Sequence, residues 1–143
     1  MSKSSISDEL RQRVAETAKH RCGYCQTQEL IIGMPLQIEH IYPEAAGGDS
    51  DETNLWLACP RCNRYKSDRT HGIDEQSLTR VRLFNPRSQK WNEHFAWEQE
   101  GLYIVGLTPT GRATVKTLQM NNPFVVRSRK IWIDSGWHPP KIP

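Results

Sequence analysis

Cys59-Pro60-Arg61-Cys62-Asn63-Arg64-Tyr65-Lys66 decides the fold of this chain, because it joins one half of a metal clamp to the start of a helix. Proline at the first helical position gives up only an N–H that would lack a partner anyway, so a helix is expected directly after Cys59. Cys62 and Asn63 then fall in its first turn, and Arg64-Tyr65-Lys66 continue it. The other half of the clamp is Cys22-Gly23-Tyr24-Cys25. Two C-x-x-C turns supply the four sulfur ligands of a closed tetrahedral structural zinc site: Cys22, Cys25, Cys59 and Cys62. No cysteine is left over. Spacing alone leaves two disulfides or four unrelated buried thiols as alternatives. Zinc is preferred because disulfide frameworks belong to secreted chains, and Met1 to Leu10 holds no apolar leader run. Nowhere do eighteen apolar residues follow one another, so the expectation is a cytoplasmic chain with no membrane span.

The chain has 143 residues and is expected to form one domain, 1–143. A metal-clamped core is read at about 20–70, with an extension at about 71–143 packed on it. The net charge of +3 is unevenly spread: −4 over residues 1–58, +5 over 59–90 and +2 over 91–143. The middle segment holds Arg61, Arg64, Lys66, Arg69, Arg80, Arg82, Arg87 and Lys90. Such a density attracts a nucleic-acid backbone with little regard to sequence; an ordinary solvated face is the bland alternative.

The pattern reads as α+β. Ser7 followed by Asp8-Glu9 starts a helix that runs to about Lys19 or His20. Glu29 to Tyr42 reads as a β-hairpin turning at Gly33-Met34-Pro35. Residues 43–53 form a loop, and 70–100 look irregular, with Phe84, Trp91, Phe95 and Trp97 as a core cluster. Gly101 to Gly106 reads as a short strand. Thr108-Pro109 starts a helix with Ala113, Val115, Leu118 and Met120 inward, and Asn122-Pro123 starts another carrying Phe124, Val125, Ile131 and Trp132.

The order Glu39-His40, Asn54, Asn63 resembles the HNH endonuclease family. So do the E-H-I-x-P stretch from Glu39 to Pro43, Gly47-Gly48, Asn54-Leu55, and C-P-R-C-N-x-x-K from Cys59 to Lys66. Farther along, Leu83 to Arg87, Trp91 to Phe95 and Gly106 to Val115 look like a group of small bacterial members. The resemblance implies a ββα-metal core, hydrolysis of DNA phosphodiesters to 5′-phosphate and 3′-hydroxyl ends, and a role for Asn54 in steadying the loop and the histidine. Its third position is often His and here is Asn63; its first acid is often Asp and here is Glu39.

Hydrolysing a phosphodiester needs a base for water, and His40, with an ordinary pKa near ~6.5, is the side chain best poised for it. Glu39 and Asn63 offer hard oxygens suited to Mg²⁺ or Mn²⁺, a second metal distinct from the zinc. Adjacent strand residues point to opposite faces, so Glu39 and His40 divide the labour unless the strand end is distorted. Arg61, Arg64, Lys66 and Arg69 are the candidate phosphate contacts. His20, His71, His94 and His138 are read as structural, with His94 the nearest to an exception. The alternative reading is a non-catalytic zinc module that binds nucleic acid. No base-reading motif is present, so weak specificity, or specificity borrowed from a protein partner, is expected. Cutting both strands with one site calls for a homodimer or two sequential nicks.

Overall fold

The structure, a computed structural model, describes residues 6–141 and is α+β. Residues 1–5, part of the stretch searched above for an apolar leader run, lie outside the described residues. Helix α1 (Asp8–Thr17) starts as its sequence predicts: the Ser7 hydroxyl accepts from Leu10 N at 3.1 Å, and Asp8 and Glu9 sit at the positive end of the helix dipole. Val14 and Ala18 bury its inner face against strand β2 (Leu55–Ala58). After α1, Lys19 and His20 take positive φ, and an Arg21–Gln28 bridge closes the turn that holds Cys22 and Cys25.

The hairpin expected over Glu29 to Tyr42 is corrected. Glu29–Ile32 is a short helix, α2, stopped by Gly33 at φ +69°. Leu30-Ile31-Ile32 lacks the two-residue alternation of a half-buried strand, and Leu30 is exposed. Glu29 holds the segment in place: its carboxylate accepts from Leu36 N at 2.9 Å and lies 2.9 Å from His20 Nδ1. Strand β1 (Gln37–His40) instead pairs antiparallel with β2, Gln37 opposite Ala58 and His40 opposite Leu55. That partner buries Leu55, Leu57 and Ala58 almost completely. Helix α3 (Pro60–Lys66) follows at once, with the Cys59 sulfur accepting from Cys62 N as its cap. β1, β2 and α3 form the ββα unit.

Residues 70–100 are not irregular. β3 (His71–Asp74) and β4 (Thr79–Arg82) form a hairpin, and β5 (Phe95–Glu98) pairs with β6 (Tyr103–Gly106) behind a single helical turn, α4 (Trp91–His94). β6 lies in the stretch expected as a strand; the β3–β4 hairpin carries no such signal, since Thr79-Arg-Val-Arg82 shows no apolar alternation. Tertiary contacts stabilise them. Helix α5 (Pro109–Thr117) packs on both hairpins, and its Arg112 grips the buried Asp74 with two bonds, 2.9 and 3.0 Å. That guanidinium, with Ser77, holds the Asp74 carboxyl well below the usual carboxylate range.

The expected aromatic cluster is core: Phe84 and Phe95 meet edge to face at 5.0 Å, with Trp91 5.2 Å from Phe95. Helix α6 (Pro123–Asp134) starts where Asn122-Pro123 places it and carries the four apolar residues expected on it. Phe124 and Ile131 are exposed, and the helix buries Val125 and Arg129. The two terminal nitrogens of Arg129 donate to the carbonyls of Leu102 and Met120 and to Asn121 Oδ1. Among the described residues no helix is long and apolar enough to cross a membrane.

Candidate active site and metal centre

The two C-x-x-C turns converge. The four sulfurs lie within 4.8 Å of one another and all four cysteines are buried and unbridged, which removes the disulfide alternative. Cys25 Sγ and Cys59 Sγ are 3.6 Å apart, close to the ~3.8 Å edge of a tetrahedron with ~2.3 Å metal–sulfur bonds. Backbone N–H groups of Tyr24 and Cys62 point at Cys22 and Cys59 sulfurs, and the Thr27 hydroxyl lies 3.1 Å from Cys25. Burial pushes the Cys22 and Cys62 thiols up, while hydrogen bonds from its three sulfur neighbours hold Cys25 well down. A dication among the four sulfurs is the charge that favours ionisation of buried thiols.

The four-cysteine cluster reaches the catalytic candidates through Tyr24. From between Cys22 and Cys25 its hydroxyl donates to Glu39 Oε2 at 2.5 Å, and burial together with the Glu39 charge raises its own pKa well above the ordinary value. Sequence reasoning did not single out Tyr24, although its position inside a ligand turn was the available signal.

Strand and helix spacings explain how α3 meets β1. Residues two apart on a strand are ~6.6 Å apart on one face, and residues three apart on a helix rise ~4.5 Å on one face. Gln37 and Glu39 therefore face Asn63 and Lys66. Asn63 Nδ2 donates to Gln37 Oε1 at 2.7 Å, and Lys66 Nζ lies 3.3 Å from Glu39 Oε1. Lys66 was expected at a phosphate; it is instead 2 % exposed and also donates to the carbonyls of His40 and Ile41 at 3.3 and 3.0 Å. A four-methylene stem at this helix position spans to the strand, so the charge is spent inside.

His40 is the last residue of β1, and there the alternation of faces gives way. Glu39, His40, Asn63 and Arg64 all line one open cleft of about 340 Å³, with Glu44 and Ser67 on its rim. His40 Nε2 lies 3.0 Å from Ser50 Oγ and 3.8 Å from Glu44 Oε2. Asn54 does not line this cleft. Its side chain accepts from Tyr42 N at 2.8 Å and donates to the carbonyls of Tyr42 and Asp49 at 2.9 and 2.8 Å, tying down the loop that delivers Ser50. Gly48 lets the loop close: a Cβ there would stand 1.8 Å from Tyr42 O. Ser50 and Glu44 were not foreseen, since nothing local marks a loop serine that meets a histidine ten residues back.

The remaining basic candidates divide. Arg61 turns to the cysteines, 3.8 Å from Cys62 Sγ; burial opposes its charge and the sulfurs beside it restore it, leaving its pKa raised. Arg64 and Arg69 are exposed. His94 caps nothing in the cleft; its Nδ1 lies 2.7 Å from Thr108 Oγ1 and its ring packs on Phe84. His138 is structural too, with Nε2 3.0 Å from Gly101 O.

The cleft fits a hard divalent cation. A carboxylate has about four acceptor sites, so Tyr24 and Lys66 at Glu39 do not by themselves exclude one. Asn63 commits its amino group to Gln37, which leaves its carbonyl oxygen as the donor atom it offers. Residues 22–69 match the family model described as HNH endonuclease. No curated protein and no solved structure matches the chain.

Proposed function

We propose, from the match of residues 22–69 to the HNH endonuclease family model, that this chain is a metal-dependent DNA endonuclease. The convergence of Glu39, His40 and Asn63 on one cleft carries this reading. His40 takes the proton of the attacking water as the new oxygen–phosphorus bond forms. Glu44 offsets the charge the ring gains, and Ser50 fixes the ring. The bond from phosphorus to the 3′ oxygen breaks, leaving 5′-phosphate and 3′-hydroxyl ends once that oxygen takes a proton from solvent. Glu39 and Asn63 would hold Mg²⁺ or Mn²⁺, which supplies Lewis-acid stabilisation of the leaving oxygen. Asn54 acts through the loop. The four cysteines would hold zinc, whose closed coordination leaves no position for substrate.

On this reading the chain is one folding unit, with the extension fastened to the core by Trp91 Nε1 donating to Tyr24 O at 2.7 Å and by Arg87 donating to Leu55 O. Its site of action is the cytoplasm, and cutting both strands takes two copies or two successive nicks. The Lys66 ammonium beside Glu39 favours a second reading, a zinc module that binds nucleic acid without cutting it, because the cation must share that carboxylate. Supercoiled plasmid incubated with Mg²⁺, Mn²⁺ or EDTA separates the two: nicking by wild type and none by His40→Ala is expected. Absence of nicking under every metal would remove catalysis.

A further inference from the structure

The exposed basic charge lies mostly outside the cleft, and its arrangement on the extension is ordered. In the β3–β4 hairpin, His71 stands opposite Arg82 and Ile73 opposite Arg80. Directly opposed residues of an antiparallel pair share a face, so His71, Arg82, Ile73 and Arg80 form one face. The alternate pair, Gly72 and Val81, belongs to the other face, where a Cβ on Gly72 would meet Thr117 of α5. Arg80 and Arg82 are exposed, and Ile73 is half exposed. Like charges packed on one small sheet face destabilise it unless an anion comes to them. Their field reaches His71, whose pKa is lowered first by partial burial and then by Arg80 and Arg82.

This edge borders a groove of about 520 Å³ between α3, β3 and α5, with Arg64, Tyr65, Arg69, His71 and Lys116 on its walls. Arg64 lines both this groove and the catalytic cleft. Two negative groups enter the neighbourhood: Glu75, which pairs with Lys116, and Asp68 at the cleft rim. Positive charge predominates, running from Arg64 through Arg69 to the hairpin.

We propose that this groove and the outer hairpin face carry the phosphodiester backbone flanking the cut, so that Arg64, Arg69, Arg80 and Arg82 contact successive phosphates. The inference rests on the nuclease reading for the direction of the strand, and lies outside the matched segment except for Arg64 and Arg69. Arg80 and Arg82, two residues apart on β4, stand ~6.6 Å apart along one face and present their charges side by side to a backbone.

The test measures binding of the full, zinc-loaded chain to a duplex oligonucleotide in EDTA-free buffer without Mg²⁺ or Mn²⁺, over a series of salt concentrations. R80A/R82A is expected to lower the slope of log K against log salt by about 2 and to weaken binding about tenfold or more at 0.1 M salt. R127A/K130A, which removes two charges from α6, serves as control and leaves the slope unchanged. An unchanged slope in R80A/R82A, or an equal change in the control, overturns the groove. Plasmid cleavage by the same wild-type preparation reports the nuclease reading separately: salt-dependent binding sensitive to R80A/R82A without any nicking keeps the groove and removes the catalysis.

Discussion

Replacing Lys66 by Met isolates the buried charge that joins α3 to β1. The Nζ atom lies 3.3 Å from Glu39 Oε1, and the two side chains are 2 % and 3 % exposed. At an effective dielectric of ~20 their attraction is about 5 kcal/mol, most of which offsets the cost of burying the two charges. The pair as a whole adds little to stability, but removing one member does not return the system to zero. It leaves the Glu39 carboxylate buried beside Tyr24 and strips donors from the carbonyls of His40 and Ile41. Such a loss costs roughly 3–5 kcal/mol. With a urea m-value of ~2 kcal/mol/M, the midpoint falls by roughly 2 M. Equilibrium urea unfolding followed by tryptophan fluorescence measures it. The double variant Lys66→Met/Glu39→Gln removes both charges and should recover at least ~2 kcal/mol relative to the sum of the singles. If Lys66→Met does not fold, folding of the double variant carries the same conclusion. Additivity within ~0.5 kcal/mol, or a Lys66→Met midpoint equal to wild type, would refute the argument that these charges depend on one another.

Stripping the metal with a strong chelator should destabilise the chain on the order of 10 kcal/mol near pH 7, read as a lowered melting temperature; a preparation with one zinc per chain by elemental analysis is expected, and a metal-free chain with an unchanged melt would sink the clamp. Tyr24→Phe removes a bond to a buried carboxylate and should cost about 1.5–3 kcal/mol in urea unfolding while zinc content stays at one per chain. Asn54→Ala should loosen residues 43–53, seen as faster proteolysis within that loop and a lower cleavage rate, and equal protection in variant and wild type would contradict its anchoring role. His138 gives a pH signature. Burial first, then the Arg129 charge against the Gly101 bond, pushes its pKa down to about 4, so protons bind more readily to the unfolded chain. Its contribution is complete above ~6.5 and is lost as pH falls from ~6.5 to about 4, a total of ~3 kcal/mol. His138→Asn should flatten that part of the stability curve, and parallel curves for the two proteins would show that the ring is not held neutral.

Much of the architecture is legible locally. Ser7, Thr108-Pro109 and Asn122-Pro123 mark helix starts because side-chain oxygens and proline satisfy or dispense with the unpaired N–H groups of a first turn, and each is found capping its helix. The failures share a cause. Leu30-Ile31-Ile32 was read as a strand on apolar composition, yet a strand needs a partner, and the partner of β1 lies beyond a loop. The β3–β4 hairpin has almost no local signal and is held by α5.

The same division runs through the site. The donors are legible from residue identity and spacing: four cysteines at metal spacing, an acid and a histidine side by side, and an asparagine in the first turn of the helix that Pro60 opens. Those follow from chemistry and from contacts within a few residues. How each charge is used depends on packing between distant segments. Lys66 and Arg64 are two residues apart on one short helix, and nothing in their identity tells them apart. The docking of α3 on β1 turns Lys66 to Glu39 in the interior and leaves Arg64 at the cleft mouth, because a helix advances about 100° per residue and only one of its faces can meet the strand.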